Sequence, residues 1–417
     1  MPVPLMYGRT GLTMTLHERY ALDLAVPRSW DEADETLLLK VALRRPIRAP
    51  SLNEMARHCR NAVIVTCDRT RGVPSRMTFP LILDELKNGG IDPQNVEVLV
   101  ATGLHKGETM DDVRERFGGN LGDVAVKIHE SDDKAELVDL GYLTSGTPLS
   151  LNSLVVESDL VVFEGTVEPH FFAGFTGRSK VILPGVAGTE TILQNHSWKN
   201  IDDPRARYGI LKNPIRAEGD EPLRHIKKVF SLNLILDARR KVVFATSGNP
   251  IDSFNRAAEI VSQHSSVHIN YQPDLIITTN GSYPLDRNVY QCVKGIAVPE
   301  EVLHEGSRIV MVSECLDGVA HKEFFDLTVS GSLSEIYAKM KSSKSTIPDQ
   351  WQVQVLCRVL QKASVWFVTR PELRSEIEAM HMHYAASVEE ALASANISEK
   401  DRVLAAPQGP STILKAG

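Results

Sequence analysis

Three side chains able to bind metal, carry protons or form covalent bonds occur within one glycine-rich stretch of this chain. His170, Lys180 and His196 follow an apolar run, Leu160–Phe163, that reads as a strand. A histidine offers a proton carrier or a metal ligand, and a lysine offers a nucleophilic amine. The glycines between them accept positive φ, so the backbone can reverse close to a bound group. The stretch predicts a functional site.

Other polar clusters also follow apolar runs. Asp68, Thr70 and Arg71 come directly after the predicted strand Ala62–Cys67, and His105 follows the next one along the chain. Arginine suits a bidentate grip on a carboxylate, and Asp68 suits either a ribose hydroxyl or the cap of a turn. In open parallel sheets, ligands bind beyond the carboxyl ends of the strands. These clusters are therefore predicted to meet at one edge of a sheet.

Two further clusters lie later in the chain. Ser247 and Gly248 precede a predicted helix and could present backbone N–H groups to a phosphate. If the run from Asp286 is helical, Tyr290 and Lys294 share one face at i, i+4, with Gln291 on its flank. Trp351, at the start of another helical pattern, could form a wall of the same pocket or pack at the helix start.

Each candidate has an ordinary structural alternative. His105 could be a surface histidine, His170 a histidine packed at an aromatic edge, and His196 a residue favoured by a helix C-terminus. Ser247 could be part of a simple helix cap. No Walker phosphate-loop pattern and no H-E-x-x-H or paired-cysteine spacing occurs, which disfavours a nucleotide triphosphatase and a conventional zinc site.

The elements that must position these residues alternate between strands and helices. This alternation predicts an α/β fold of two domains, with mainly parallel, doubly wound sheets and an N-terminal β meander over the first ~50 residues. A polar turn near Tyr271 places the boundary, giving a catalytic domain at 1–270 and a second α/β domain at 271–417 that closes the cleft. The predicted strands are Ala62–Cys67, Val96–Thr102, Val124–Ile128, Leu160–Glu164, Leu275–Thr279, Ile309–Ser313 and Val365–Thr369. The predicted helices are Thr78–Lys87, Thr109–Phe117, Asp252–Gln263, Pro299–Glu305, Gln350–Gln361 and Val388–Ala395.

Composition narrows the class of protein further. The chain has 417 residues, 42% of them apolar, and a formal net charge of −7, which argues against a nucleic-acid surface but allows a small anionic substrate. Its five scattered cysteines predict no disulfide framework and favour a reducing cytoplasm. No apolar run approaches the ~20 residues that cross a bilayer, so neither a membrane span nor a signal peptide is expected.

Read together, these segments resemble the nickel-pincer lactate racemase family. The matching segments run in order through both predicted domains: Asp68-x-Thr-Arg71, Thr102-Gly-Leu-His105-Lys, Pro169-His-Phe-Phe-Ala-Gly174, Lys180 with Ile182-Leu-Pro-Gly185, His196, and Tyr283-Pro-Leu-Asp286 through Tyr290-Gln-Cys-Val-Lys294. Each motif alone is weak, but their ordered combination is specific.

The resemblance implies a nickel cofactor and a role for each candidate. The cofactor is pyridinium-3,5-bisthiocarboxylic acid mononucleotide, a pincer that holds nickel and is attached covalently to Lys180. His196 matches the nickel ligand, and His105 and His170 match two catalytic acid–bases. The remaining candidates fall into two groups: Asp68, Thr70, Ser247 and Gly248 for the cofactor, and Arg71, Tyr290, Gln291, Lys294 and Trp351 for the substrate. Proteins that make the cofactor are implied partners, and the oligomeric state stays open.

The implied chemistry is racemisation or epimerisation of a 2-hydroxy acid. The Cα–H beside a carboxylate is a poor acid, so removal of a hydride is easier once a base has taken the hydroxyl proton. A planar 2-keto acid then receives the hydride on either face, and each enantiomer needs its own base. Two departures from many relatives are Arg178 standing one place earlier before Lys180 and Gly72 in place of a proline.

Two other functions remain open from the sequence. One is a zinc-dependent hydrolase that uses His105, His170 and His196, and the other is a sugar-acid binding protein without catalytic activity. Within the leading hypothesis, the substrate is also undecided, because lactate, malate, an aromatic hydroxy acid and an aldonic acid all need the same carboxylate clamp.

Overall fold

A computed structural model describes residues 2–18, 20–105, 107–177, 179–343 and 345–417. The strands are β1 Pro2–Leu5, β2 Leu12–Thr15, β3 Ala21–Leu24, β4 Ala62–Cys67, β5 Val96–Ala101, β6 Ala125–Ile128, β7 Leu137–Tyr142, β8 Pro148–Asn152, β9 Leu160–Thr166, β10 Pro169–His170, β11 Gly174–Phe175, β12 Val229–Leu236, β13 Val242–Gly248, β14 Ser266–Ile269, β15 Leu275–Thr279, β16 Ser307–Val312, β17 Ala363–Val368, β18 His383–Ala385, β19 Arg402–Ala406 and β20 Ile413–Ala416.

The α-helices are α1 Glu35–Arg44, α2 Leu52–Ala56, α3 Ser75–Asn88, α4 Met110–Phe117, α5 Ser153–Glu157, α6 Ser179–Ile182, α7 Thr189–Asn195, α8 Trp198–Asp202, α9 Pro214–Asp220, α10 Pro250–Ser265, α11 Val289–Ile296, α12 Lys322–Thr328, α13 Leu333–Ser342, α14 Gln350–Leu360, α15 Arg374–Ala379 and α16 Val388–Ser394. None of the described helices is long and apolar enough to cross a membrane.

The first large sheet has the strand order β13-β12-β9-β4-β5-β6. All neighbours in it run parallel except the β12–β13 pair at one edge. Side chains alternate between two cores: Ile64 packs on one face of the sheet, while Val63 and Val65 pack on the other. The chain moves outward from β4 in one direction and then, from β9, in the other. The strand order therefore reverses between β4 and β9, where open α/β sheets bind ligands.

The second large sheet is wholly parallel, with the order β18-β17-β16-β15-β19-β3. In β15, Ile276 packs into one core and Leu275 and Ile277 into the other, as expected for a strand covered on both faces. The predicted α/β class with parallel sheets is thus confirmed.

The predicted N-terminal β meander is wrong. β1 and β2 do form an antiparallel pair, but β3 runs parallel to β19 at the edge of the second sheet. Residues Glu35–Arg44 are helical, and Asp34 caps this helix by accepting from the backbone N–H of Leu37 at 3.1 Å. Alternation of apolar residues identifies a strand but not its partner, so β3 was assigned to the wrong neighbour. Because β3 belongs to the second sheet, the division of the chain at residue 270 remains a proposal.

Most of the predicted elements occur within a few residues of their expected bounds, and one does not occur. The segment predicted as a helix over Pro299–Glu305 forms successive turns, in which the N–H of Val302 donates to the carbonyl of Pro299 at 2.9 Å. Gly306, at φ +86°, then reverses the chain. Apolar spacing over so few residues is compatible with a helix and with successive turns, and periodicity alone does not distinguish them.

Candidate active site

The loops after β4, β5 and β9 open onto one cavity of about 640 Å³. Residues of α11 and the segments before α12 and α14 form its opposite wall. The predicted site residues that line it are Asp68, Arg71, His105, His170, Lys180, His196, Tyr290, Gln291, Lys294 and Trp351. Side chains distant in sequence thus converge at the point where the strand order of the first sheet reverses.

Asp68 and His105 form a hydrogen-bonded pair in this cavity. His105 Nδ1 lies 2.7 Å from Asp68 Oδ2, and the other carboxylate oxygen accepts from the backbone N–H of Thr70 at 3.0 Å and from its hydroxyl at 2.5 Å. Burial raises the pKa of Asp68, but His105, Thr70 and Arg71 together outweigh it and hold the pKa far below its usual range. An ionised Asp68 keeps the proton of neutral His105 on Nδ1, which leaves Nε2 as the acceptor.

His170 has the opposite arrangement. Its Nδ1 accepts from the backbone N–H groups of Phe172, at 3.4 Å, and Ala173, at 3.2 Å, which assigns the ring proton to Nε2. The side chain is buried. Burial, together with the nearby cations Lys180 and Arg71, holds the pKa of His170 well below its usual range. His170 is therefore neutral near pH 7 and presents a donor.

Lys180 stands on the short helix α6, partly buried, with Nζ 4.8 Å from the ring centroid of Phe172. Burial lowers its pKa well below the usual value, and the cations Arg71, Arg216 and Lys294 lower it further. A lowered pKa favours the uncharged amine, the form of lysine that acts as a nucleophile.

The loop before Lys180 is held by backbone packing and one buried arginine. At Gly177, φ is +80°, and a Cβ would lie 3.0 Å from the carbonyl oxygen of Thr166, so only glycine fits without strain. Arg216 donates to the carbonyl oxygens of Gly177 and Phe175. The predicted departure at Arg178 lies outside the described residues.

His196 ends helix α7, and its Nδ1 lies 3.2 Å from the carbonyl oxygen of Ile192. Nδ1 therefore carries the proton and donates, which leaves the Nε2 lone pair available to a metal. Burial, aided by Lys180, lowers the pKa of His196 to about 3, so the ring is neutral at physiological pH. Edge-to-face contacts with Phe172, at 5.2 Å, and Trp351, at 5.0 Å, fix the ring.

The opposite wall carries the predicted substrate residues. Helix α11 begins after Asn288, whose side chain accepts from the N–H of Gln291 at 2.9 Å. Lys294 Nζ donates to Gln291 Oε1, and burial together with Arg71 lowers the pKa of Lys294 to about 7. Tyr290 lies on the same helix, one turn before Lys294. Arg71 and Lys294 thus line the same cavity as two basic groups suited to a carboxylate.

Thr70, Ser247 and Gly248 do not line the cavity. Thr70 reaches the site only through Asp68. Ser247 Oγ donates to the carbonyl of Ala42 at 2.8 Å, and a Cβ at Gly248 would lie 2.4 Å from the carbonyl oxygen of Ile47. The Ser-Gly pair therefore serves the close packing of residues 42–47 on β13, so the structure does not bring it to the other candidates.

The cavity also contains polar residues that the sequence did not single out. His321 and Asp349 line it, together with Glu323 and Gln352. No spacing rule links His321 to Asp349, because they lie in separate loops that only the fold brings together. The one available signal was the position of Asp349, two residues before Trp351.

The described residues do not form the three-histidine zinc site that the alternative hydrolase function would use. Over the described ranges, no group of three or more His, Cys, Asp and Glu side chains lies close enough to hold a metal ion. His105, His170 and His196 share the cavity without converging on one point. His196 offers one lone pair to a metal, so the other ligands of that metal would have to come from a bound group.

Comparisons with known proteins agree over the whole chain. The family models for the lactate racemase N-terminal domain and the lactate racemase C-terminal domain match residues 7–209 and 269–414. The lactate racemases of Thermoanaerobacterium thermosaccharolyticum and Lactiplantibacillus plantarum are 37% and 34% identical to it, each with 99% of both chains covered. The lactate racemase apoprotein structure from the former superposes with a TM-score of 0.94 at 34% identity, covering 100% of both chains. A Thermotoga maritima protein, 18% identical over 88% of this chain and 98% of its own, shares the fold with a TM-score of 0.66.

Proposed function

This chain belongs to the lactate racemase family of isomerases, and we propose that it inverts the configuration at C2 of a small 2-hydroxy acid with a nickel pincer cofactor. One observation carries the proposal. Two histidines in complementary hydrogen-bonded forms line one cavity. The same cavity is lined by Lys180, whose pKa is lowered, by His196 with a free Nε2, and by Arg71 and Lys294, two basic groups suited to a carboxylate.

The residues present suit the proposed cofactor. A covalent bond to the pyridinium mononucleotide needs an uncharged amine, and Lys180 has a pKa well below its usual value because of burial and nearby cations. Nickel held by a pincer needs one further ligand, and His196 offers one lone pair fixed by its bond to Ile192. The cations around Lys180, which are Arg71, Arg216 and Lys294, favour an anionic phosphate and a thiocarboxylate. Lys180 and His196 would therefore hold the group, which when bound supplies an acceptor for the hydride on C2 of the substrate.

The two histidines divide the proton transfers between the two enantiomers. His105 Nε2 accepts the hydroxyl proton of the enantiomer that faces it, and Asp68 stabilises the imidazolium that results. His170 serves the other enantiomer once its ring proton has moved from Nε2 to Nδ1. This shift leaves Nε2 free to accept the hydroxyl proton and breaks the two backbone hydrogen bonds to Nδ1. A substrate carboxylate offsets the cations that lower the pKa of His170, so binding makes proton uptake at this ring easier.

The substrate carboxylate binds between Arg71 and Lys294 in this proposal. Each group comes from a different wall of the cavity, so the clamp forms only across the cleft. Holding the carboxylate while C2 changes from tetrahedral to planar lets the keto group present either face without release. Gln291, bonded to Lys294, fixes the lysine side chain, while Tyr290 and Trp351 limit the space around the substrate.

The test is to produce the protein anaerobically together with enzymes that make the cofactor. Intact mass should show an adduct on Lys180, metal analysis should show nickel, and chiral chromatography should show interconversion of 2-hydroxy acid enantiomers. His105→Ala and His170→Ala should keep adduct and nickel but lose activity by about 10³-fold or more. His304→Ala, a change outside the cavity, is the matched control.

Three outcomes would count against the proposal. Active protein with unmodified Lys180 and no nickel would refute the cofactor assignment. Hydrolytic activity restored by zinc alone would favour the hydrolase, and saturable binding without stereochemical change would favour a sugar-acid binding protein. Full activity in either histidine variant would refute the two-base assignment.

A further inference from the structure

The wall of the cavity formed by the second half of the chain contains a second histidine–carboxylate pair. His321 Nδ1 lies 2.8 Å from Asp349 Oδ2, and both residues line the cavity. The pair repeats the arrangement of His105 with Asp68 on the facing wall. The proposed acid–base chemistry needs two histidines and has them already, so this pair has a different use.

Asp349 bonds His321 although an aspartate at its position would ordinarily cap the helix that follows it. His321 and Asp349 each occupy the residue before a helix, α12 and α14, and neither side chain caps its own helix. Aspartate is among the best N-cap residues, yet the Asp349 carboxylate turns to His321 and its backbone adopts φ +64°. Positive φ at a residue other than glycine is uncommon, and such residues cluster at functional sites. The carboxylate therefore bonds His321 instead of capping its own helix, and it also interacts with the Tyr290 side chain.

The orientation of the His321 ring is fixed on two sides. One face stacks on Tyr290 with the ring centroids 3.9 Å apart and the planes 4° from parallel, and Nδ1 is held by Asp349. The remaining polar atom is Nε2. It has no hydrogen-bond partner within the described part of the chain, and the side chain is 38% exposed. A fixed ring with one free nitrogen at a cavity wall is suited to bind a hydroxyl group.

The position of His321 relative to Lys294, which is proposed to bind the substrate carboxylate, indicates which substrate carbon lies near His321. Tyr290, on which the His321 ring stacks, lies one helical turn before Lys294 on α11. Residues at this spacing have Cβ atoms about 5–6 Å apart, roughly the distance from a carboxylate oxygen to a hydroxyl oxygen on C3 or C4 of the same acid. A 2-hydroxy acid held at Lys294 can therefore extend its substituent toward His321.

The charge of this wall selects among possible substituents. Asp349 and Glu323 are acidic and Gln352 is neutral and polar, so a second carboxylate would meet like charge and a purely apolar group would leave polar atoms unpaired. A neutral hydroxyl group satisfies both conditions, since it can donate or accept at Nε2.

We propose that His321, held by Asp349 and Tyr290, is a specificity-determining residue that hydrogen-bonds a hydroxyl group on C3 or C4 of the substrate. The substrate class is then a 2-hydroxy acid with further hydroxyl groups, such as a glycerate or a four-carbon aldonic acid. This inference rests on the proposed racemase or epimerase function.

The test compares substrates on the holoenzyme. Wild type should act on glycerate or a four-carbon aldonate with a kcat/KM at least ~10-fold above that for lactate or malate, because a site built to bind a hydroxyl penalises analogues that lack one. His321→Phe keeps a ring to stack on Tyr290 but removes Nε2, so it should lower the aldonate-to-lactate ratio of kcat/KM ~10-fold or more. His321→Gln should restore part of that ratio.

Calorimetric binding of the same acids to His321→Phe gives a readout independent of turnover, and the aldonate should bind more weakly than to wild type. Glu323→Gln is the charge control and should improve malate relative to the aldonate. A wild-type preference for lactate, or an unchanged ratio in His321→Phe, would overturn the assignment of His321 while leaving the racemase function standing. Wild type that interconverts no acid in the panel would instead overturn the proposed function itself.

Discussion

Replacement of Asp68 by asparagine tests the proton chemistry most directly. One oxygen of Asp68 accepts from both the N–H and the hydroxyl of Thr70, so the amide oxygen of the variant must take that position. The amide NH₂ then faces His105 Nδ1, now 2.7 Å from the carboxylate. Because an NH₂ group only donates, the proton of neutral His105 must move to Nε2, and the proposed acceptor becomes a donor.

The expected decrease of kcat in Asp68→Asn has two contributions. A hydrogen bond to a charged group contributes about 1.5–3 kcal/mol, which corresponds to a loss of roughly 10- to 150-fold when the imidazolium loses its carboxylate. The inverted tautomer adds to this, and the same substitution in the serine-protease triad lowers kcat about 10⁴-fold. We expect Asp68→Asn to lower kcat by about 10²- to 10⁴-fold, with nickel and the Lys180 adduct retained.

The assay follows each enantiomer separately by chiral chromatography. Enantiomers are equal in energy, so kcat/KM must fall by the same factor in both directions, and unequal factors would reveal an artefact. Asp112→Asn is the control, because Asp112 pairs with Arg69 at 3.1 Å and does not line the cavity. If Asp68→Asn stays within threefold of wild type, the tautomer argument is wrong. Loss of nickel in this variant would instead give Asp68 a role in holding the cofactor.

Three further predictions concern charge and positioning. Lys180→Arg keeps a long basic side chain but has no neutral amine, so intact mass should show no adduct and activity should fall below about 0.1%. Lys294 is cationic below its pKa of about 7 and loses that charge as pH rises, so KM for an anionic substrate should increase above pH ~7, and Lys294→Met should abolish this increase. Arg240 donates to the carbonyl of Arg71 and pairs with Glu168 at 3.1 Å, joining two loops of the site; Arg240→Ala should raise KM about 10-fold, whereas Arg239→Ala, on an exposed neighbour, should not.

One specific experimental result would contradict each of these three predictions. An adduct on the Lys180→Arg protein would place the attachment elsewhere. An alkaline increase of KM that persists in Lys294→Met would show that another group titrates. Equal effects of Arg240→Ala and Arg239→Ala would mean that the hairpin between β12 and β13 contributes only general stability.

Much of the fold follows from local pattern. β4 and β15 are apolar runs of five or six residues followed by polar turns, and parallel strands covered on both faces have this composition. The sequence of helix α4 contains residues that mark both of its ends. Thr109 and Asp112 form a capping box at its start, and Gly118 ends the helix at φ +61°. Residues after successive parallel strands then had to meet at one edge of the sheet, so the cavity residues from the first sheet were predictable.

The rest depended on contacts that no local pattern encodes. β3 has the same alternation whether it pairs with β2 or β19, and only tertiary packing selects β19. Ser247 and Gly248 resemble a phosphate-binding turn, but the segment at Ile47 occupies the space beside them. His321 and Asp349 belong to separate loops, and their pairing depends on how α12 and α14 are arranged.

The place of β3 in the second sheet has a mechanical consequence. The chain passes from the second sheet to the first after β3 and returns after α10, so two covalent connections join the halves that form the cleft. Two adjacent connections restrict opening to rotation about a hinge axis through both, the arrangement used by proteins that close around ligands. A fragment that starts at residue 271 would lack β3 and expose β19 as an unpaired edge, which invites aggregation. Removal of the N-terminal segment that contains β3 would therefore destabilise the second sheet, which is formed mainly by the C-terminal half of the chain.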